Sequence, residues 1–281
     1  MRLKRFFLSA FILLCTAFPC SARKKAAVPL VSHEAYYDLS LYETKGGALS
    51  VVAARGTMTY KLQKTCGAYE TETTFSLGIG YEISGLDTSF FKQKTTESTD
   101  ACSFDFTVFT KETENDKEIT DVSGTGACLK NKKKITLTHP LAGEVVLPRT
   151  VLYPVQQTKV LLDAAAKGKK FLHSYVYDGT KFDALHFVST VVSAPSSVSA
   201  APKDVSGDAT LLSVPHYWFD MAFYNDTDVE KPDDGRPLYE AGVRYYVNGV
   251  SDEVIQDFGE YKLKSTLTRI KRLKDKPCPK K

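Results

Sequence analysis

The 281-residue chain has little net charge: 37 Lys and Arg against 33 Asp and Glu, a formal +4. That is too small a field to hold nucleic acid or an anionic membrane by bulk electrostatics. There is no C-x-x-C pair, which removes zinc knuckles and dithiol redox chemistry. G-x-S-x-G, H-E-x-x-H, a Walker loop and G-x-G-x-x-G are all missing. Gly78-Ile79-Gly80 and Gly124-Thr125-Gly126 are only fragments, and their strand context marks them as bulges or packing gaps. The five histidines (33, 139, 173, 186 and 216) have no second His, Cys or Glu at a metal-ligand helical spacing. The sequence therefore implies no metal, no cofactor and no catalytic residue. With 43% hydrophobic and 25% charged residues, it is also not a disordered chain, a collagen-like repeat or a coiled coil.

What is present begins with an address. Residues 1–22 read MRLKRFFLSAFILLCTAFPCSA: a basic start, an apolar run and a small residue, Ala22, where a signal peptidase cuts. The run is shorter than the ~20 residues of a membrane span. The expectation is a cleaved secretory signal followed by a flexible leader over 23–32; an uncleaved anchor is the alternative. Cys20 follows Phe18 and Pro19, which is poor context for lipid attachment. Without Arg2, Lys4 and Arg5, 34 basic residues face 33 acids, a net of +1. No other stretch approaches spanning length, so no transmembrane anchor is expected after cleavage, and no nucleic-acid partner.

Four cysteines remain outside that segment: Cys66, Cys102, Cys128 and Cys278. An even number in an exported chain implies disulfides, with free buried thiols as the alternative. Residues 101–110 alternate Phe104, Phe106 and Val108 against Ser103, Asp105 and Thr107, the pattern of a half-buried strand. Glu114-Asn115-Asp116 is a turn candidate. A hairpin centred on Asn115 sets Phe106 opposite Gly124, Phe104 opposite Gly126 and Cys102 opposite Cys128. Rings over strand glycines are a favourable cross-strand arrangement, and directly opposed cysteines can reach disulfide distance. That leaves Cys66 to Cys278.

Strand patterns fill most of the body. Tyr37, Leu39 and Leu41 share one face of 33–44, and Met58, Tyr60 and Leu62 one face of 50–64. Further strands are expected at 67–84, 88–97, 101–110, 117–129, 132–140, 171–178, 182–193, 211–224, 238–247, 250–258 and 260–272. Asp178-Gly179 and Asn248-Gly249 are tight-turn dipeptides. One segment departs from the pattern. Over 155–167 Val160, Leu161, Ala164 and Ala165 fall on one helical face, with Pro154 at the start and Gly168 past the end. The stretch 193–208 is Ser/Ala/Pro-rich and reads as a long loop within one domain; a two-domain split near 200 is the alternative. About 13–14 antiparallel strands must close or curl to manage their edges, and a curved sheet leaves a concave apolar face.

Polar clusters read as solvated surface. Asp233-Asp234 and Glu112/Glu114 lie in expected turns; Lys130, Lys132 to Lys134 and the basic C-terminus read as a solvated turn and tail. Tyr217, Trp218 and Phe219 lie in a core strand and are a candidate aromatic ligand platform.

The order of segments carries a resemblance. HEAYYDLSL is followed by Cys66-Gly67 with Tyr69, then LPRTVLYP before a helix ending AAAKGKK, then YDG, YWFDMAFYN, PLYEAGVRYYVNGV, DFGEYKLKSTLTRIKRL and Cys278. Over about residues 33–278 this resembles the EipB-type cell-envelope integrity family of Gram-negative alphaproteobacteria. The resemblance implies a periplasmic, non-enzymatic protein folded as one long curved antiparallel sheet, a β-spiral that looks like the half-barrels of periplasmic lipoprotein carriers, with one main helix. It also implies a Cys66–Cys278 link. Cys102 and Cys128 are not part of the family pattern, so their pairing rests on the hairpin register. The function expected is support of envelope integrity by binding a protein partner or an envelope lipid. A carrier of lipid or lipoprotein is the alternative, and an envelope hydrolase with an unfamiliar site the third reading.

Overall fold

The computed structural model describes residues 29–45, 50–83, 85–112, 118–181, 184–196, 204–225 and 236–278. The expected signal, most of the leader, the 114–116 turn, Asp233-Asp234 and the centre of the Ser/Ala/Pro stretch lie outside them. The described end of the leader is packed: Leu30 is 4% exposed, and Val31 donates its N–H to Asn248 O at 3.0 Å.

Two-residue alternation over long segments produces long strands. The first arm is a meander of β1 (His33–Thr44), β2 (Val51–Lys64), β3 (Ala68–Tyr81), β4 (Gly85–Ser98), β5 (Phe104–Glu112), β6 (Glu118–Leu129), β7 (Lys132–His139) and β8 (Gly143–Pro148). Helix α1 (Pro154–Ala166) then crosses over. The second arm comprises β9 (Phe171–Tyr177), β10 (Leu185–Val192), the two-residue β11 (Ser206–Gly207), a 3-10 turn at Ala209–Leu212, β12 (His216–Asn225), β13 (Tyr239–Tyr246), β14 (Ser251–Asp257) and β15 (Tyr261–Arg272).

All these strands form one sheet in the order β8-β7-β6-β5-β4-β3-β2-β1-β15-β14-β13-β12-β10-β9, with β11 added beside β15. The chain enters at the centre, runs out to one edge, crosses on α1 to the other edge and returns. The first and last long strands therefore pair antiparallel, from His33 opposite Arg272 to Thr44 opposite Tyr261. The sheet is not closed into a barrel. It is the mainly β, single curved sheet with one helix that the sequence predicts.

The hairpin register is also as derived: Phe104 opposes Gly126 and Phe106 opposes Gly124. A Cβ on Gly124 would sit 2.7 Å from Phe106 Cζ and 2.8 Å from Thr136 O, so only glycine fits under the ring. Gly168, at φ +75°, ends α1. Two local expectations fail. Strand β8 is not among the expected strands, since of its outward residues Glu144, Val146 and Pro148 only Glu144 is polar. Residues 211–212 turn in a 3-10 helix that buries Leu211 and Leu212, so β12 starts at His216.

Cys66, between β2 and β3, is bonded to Cys278, and Cys102 to Cys128. The first link spans 212 residues. The chain beyond β15 lies along the end of β2: Lys276 N–H donates to Lys64 O, and Ser32 Oγ to Asp275 Oδ1 at 2.6 Å.

Gly124→Ala is expected to destabilise by about 1–3 kcal/mol through overpacking, while Thr125→Ala on the outward face changes stability by less than about 0.5 kcal/mol; urea midpoints compare them. Cys66→Ser in oxidised protein is expected to lower stability by up to about 5 kcal/mol, the chain-entropy scale for so long a loop; an unchanged Tm would contradict that.

Candidate functional site

Curling brings the inner faces of both arms toward α1. Beneath the helix they leave a cavity of about 240 Å³. Met58, Tyr60 and Leu62 of β2 supply one wall, and Tyr37 of β1 another. These are the same-face residues read from the alternation. Tyr245 and Val254 close the far side from β13 and β14. Val155, Gln157 and Thr158 of α1 form the roof.

No acid, base or histidine lines this space. Its polar atoms mostly satisfy one another. Tyr37 donates its hydroxyl to Ser251 O at 2.7 Å, the Thr71 and Thr95 hydroxyls meet at 2.7 Å, and Gln93 Nε2 donates to Asp178 O at 2.8 Å. Burial pushes the phenols of Tyr37, Tyr60 and Tyr245 up, so all three stay neutral in ordinary buffers. Gln157 Nε2 is buried with no partner, so a single amide donor is left over. An uncharged apolar space with one free donor suits an alkyl segment carrying a carbonyl oxygen.

The roof is held by an acid. The residue before α1, Tyr153, has no capping side chain, and Pro154 has no N–H to offer. Glu97, at the end of β4 and 1% exposed, fills the role from across the sheet. Its Oε2 accepts from Val155 N–H and its Oε1 from Gln156 N–H, both at 2.9 Å. The helix dipole favours this carboxylate and the two N–H bonds and nearby Lys133 and Lys159 stabilise it, yet burial outweighs them and raises its pKa to about 7.

Lys133 corrects the reading of the Lys132–Lys134 run as solvated. It is 2% exposed, donates Nζ to Val151 O at 2.7 Å and lies 3.8 Å from the centroid of the Tyr153 ring. Burial lowers its pKa to about 8. A signal was present: Lys133, Ile135 and Leu137 alternate as one inward face, and the rule that lysines stay outside hid it. Glu97 had no comparable signal, because its partner is a helix start more than fifty residues away.

The sequence-derived platform is divided. Tyr217 and Phe219 point into the core with α1, and Trp218 points to the opposite side of the sheet. Successive strand residues face opposite ways, so the three cannot form one surface. Neither disulfide lines the cavity. Among the described residues no three His, Cys, Asp or Glu side chains gather as a metal site, and no helix is long and apolar enough to cross a membrane.

Because Glu97 holds its proton longer when folded than the ordinary 4.5 allows, the unfolded chain releases that proton first between pH 4.5 and about 7. Stability therefore falls as pH rises through that window. Relative to Glu97→Gln, the parent protein is expected to lose about 3 kcal/mol across it. Urea unfolding of both proteins at a series of pH values checks this; parallel profiles would contradict it.

The comparisons fit this architecture. A sequence profile described as EipB-like matches residues 24–274. The cell envelope integrity protein EipB of Brucella abortus (strain 2308) is 26% identical over 266 residues, covering 93% of this chain and 91% of the relative. The crystal structure of a β-barrel-like protein of a domain of unknown function, DUF1849, from Brucella abortus is similar at a TM-score of 0.76 and 23% identity, covering 88% of this chain and 100% of that one. At that identity the structural likeness speaks for the fold, and the profile match over nearly the whole length speaks for descent: the chain belongs to the EipB-like family.

Proposed function

We propose that this protein works in the periplasm, supports envelope integrity as the name of its Brucella relative indicates, and does so by binding rather than by catalysis. Its ligand on this reading is the acyl segment of an envelope lipid or lipoprotein, taken up under α1. The observation that carries the reading is the uncharged cavity of about 240 Å³ roofed by α1. Its volume equals about eight water volumes of ~30 Å³. An alkyl segment of similar length gains roughly 6 kcal/mol gross at ~0.8 kcal/mol per CH₂, before the costs of ordering. Adding Cys66–Cys278 and Cys102–Cys128 to an apparent export signal supports an oxidising compartment.

A protein partner is the second reading, favoured by edge strand β9. There Phe171 and Tyr175 are 70% and 37% exposed on an edge that Leu152 covers at Val176, which leaves the Phe171 end of the strand as a surface suited to an added strand.

Gently purified protein is expected to carry a lipid in native mass spectrometry. Thr73→Phe, which fills the cavity, should abolish that adduct and weaken displacement of 11-(dansylamino)undecanoate at least tenfold while Tm stays within a few degrees. Repeated lipid-free preparations with no probe binding would end the acyl reading.

A further inference from the structure

The chain has one tryptophan, and it is on the side of the sheet away from α1. Trp218 stands on β12, where Tyr217, Phe219 and Met221 turn inward. On the neighbouring strand β13, Gly242 is opposite Asp220. A Cβ on Gly242 would run into the indole at Cζ2, Cε2 and Cη2. The ring therefore lies over bare backbone, and only glycine allows it. Nε1 donates to Asp220 Oδ1 at 2.7 Å, which fixes the ring in its plane. One face of the indole is thus spent on the sheet, and the other borders an outer cavity of about 430 Å³.

The charges around that cavity are unequal. Asp220, Glu240 and Asp257 line it with a single lysine, Lys262. Asp257 is already answered by Lys262 at 3.5 Å and Lys45 at 3.7 Å, and Lys262 also meets Glu43 at 2.9 Å. Asp220 and Glu240 have no cation among the described residues. They flank Gly242 on adjacent strands as diagonal neighbours, a spacing of ~7–8 Å. Like charges so placed repel. A positive group seated between them on the open indole face would relieve that repulsion and gain a cation–π contact.

We propose that this outer cavity binds an alkylammonium group, with Trp218 as its platform and Asp220 and Glu240 as its counter-charges. A neutral sugar could also stack on an indole, but it would leave both carboxylates uncompensated. The site is independent of the α1 cavity: it lies on the other face of the sheet, and its occupant need not be apolar.

The lone tryptophan makes the test direct. Intrinsic fluorescence of the purified protein is titrated with choline chloride and with n-butylammonium chloride, at constant ionic strength and with NaCl as control. A saturable change with either cation is expected. Preference for choline points to a quaternary headgroup; preference for butylammonium points to a lysine of a partner. Asp220→Asn keeps an oxygen for Nε1, and Glu240→Gln changes an exposed side chain, so both are expected to fold, as emission maximum and Tm would show. Each should weaken the cation at least tenfold, equivalent to about 1.4 kcal/mol. No saturable response, equal affinity in both variants, or binding of N,N′-diacetylchitobiose in place of the cations would overturn the proposal. Thr73→Phe should leave this response intact, so failure of the acyl reading and failure of this one are separately visible.

Discussion

The pairing of β1 with β15 is the contact on which the rest depends. Each arm of the sheet is a meander of neighbouring strands, and local turns alone could form either one. Within the sheet, the antiparallel ladder from His33–Arg272 to Thr44–Tyr261 joins them. It brings Tyr37 and Met58 of the first arm to face Tyr245 and Val254 of the second, so the inner cavity exists only once residues over two hundred positions apart have met. Loop closure of that size is entropically unfavourable and slow. The chain reinforces the junction beyond β15, where the tail is hydrogen-bonded along β2 and Cys278 is bonded to Cys66. Leu30 and Ser32, just before β1, are buried into the same region.

Much of the sheet was legible because period-2 alternation is a local property. Phe104, Phe106 and Val108 alternate, glycines stand where rings must lie, and centring the hairpin on residue 115 gives the register that holds from Phe104 to Thr110, with a shift at Lys111. Met58, Tyr60 and Leu62 share a face for the same reason, and that face proved to be a cavity wall. Pro154 and Gly168 bracket α1 because each has a backbone property that no other residue supplies there. What stayed hidden was tertiary. Glu97 looks like any strand-end acid until α1 arrives without a cap of its own. Lys133 looks like one of three solvated lysines until Tyr153 covers it. The single-face platform of Tyr217, Trp218 and Phe219 could not stand, since the alternation that made the strand legible also sends Trp218 outward.

The two faces of the second arm divide the chemistry between them. Inward, the Tyr245 phenol stays protonated and no charged side chain lines the cavity under α1. Outward, the same strands bear Arg244 bonded to Asp252 and Glu253, Lys264 near Glu253, and the acids around Trp218. A low-dielectric interior cannot tolerate an unpaired charge, whereas a wet outer face can keep one in reserve for a partner. A sheet that bends without closing exposes both surfaces, which a filled sandwich would not do.

The inner cavity is small beside the 300–1,000 Å³ usual for drug-sized ligands, so a long chain enters only if α1 moves. The attachments of α1 determine which end gives way. Along its length it is packed by Val155, Leu161, Leu162, Ala164 and Ala165. At its start, backbone donors rest on one buried carboxylate whose proton affinity lies near neutrality. A neutral Glu97 accepts from those N–H groups more weakly than a charged one, since charge-assisted hydrogen bonds are about twice as strong, while a charged Glu97 suffers from burial. Neither state is comfortable, and the conflict is concentrated at the helix start rather than along its packed face. The N-terminal turn of α1, which lines the same cavity as Met58 and Tyr60, is therefore the part of the roof whose hydrogen bonds depend on the protonation of Glu97.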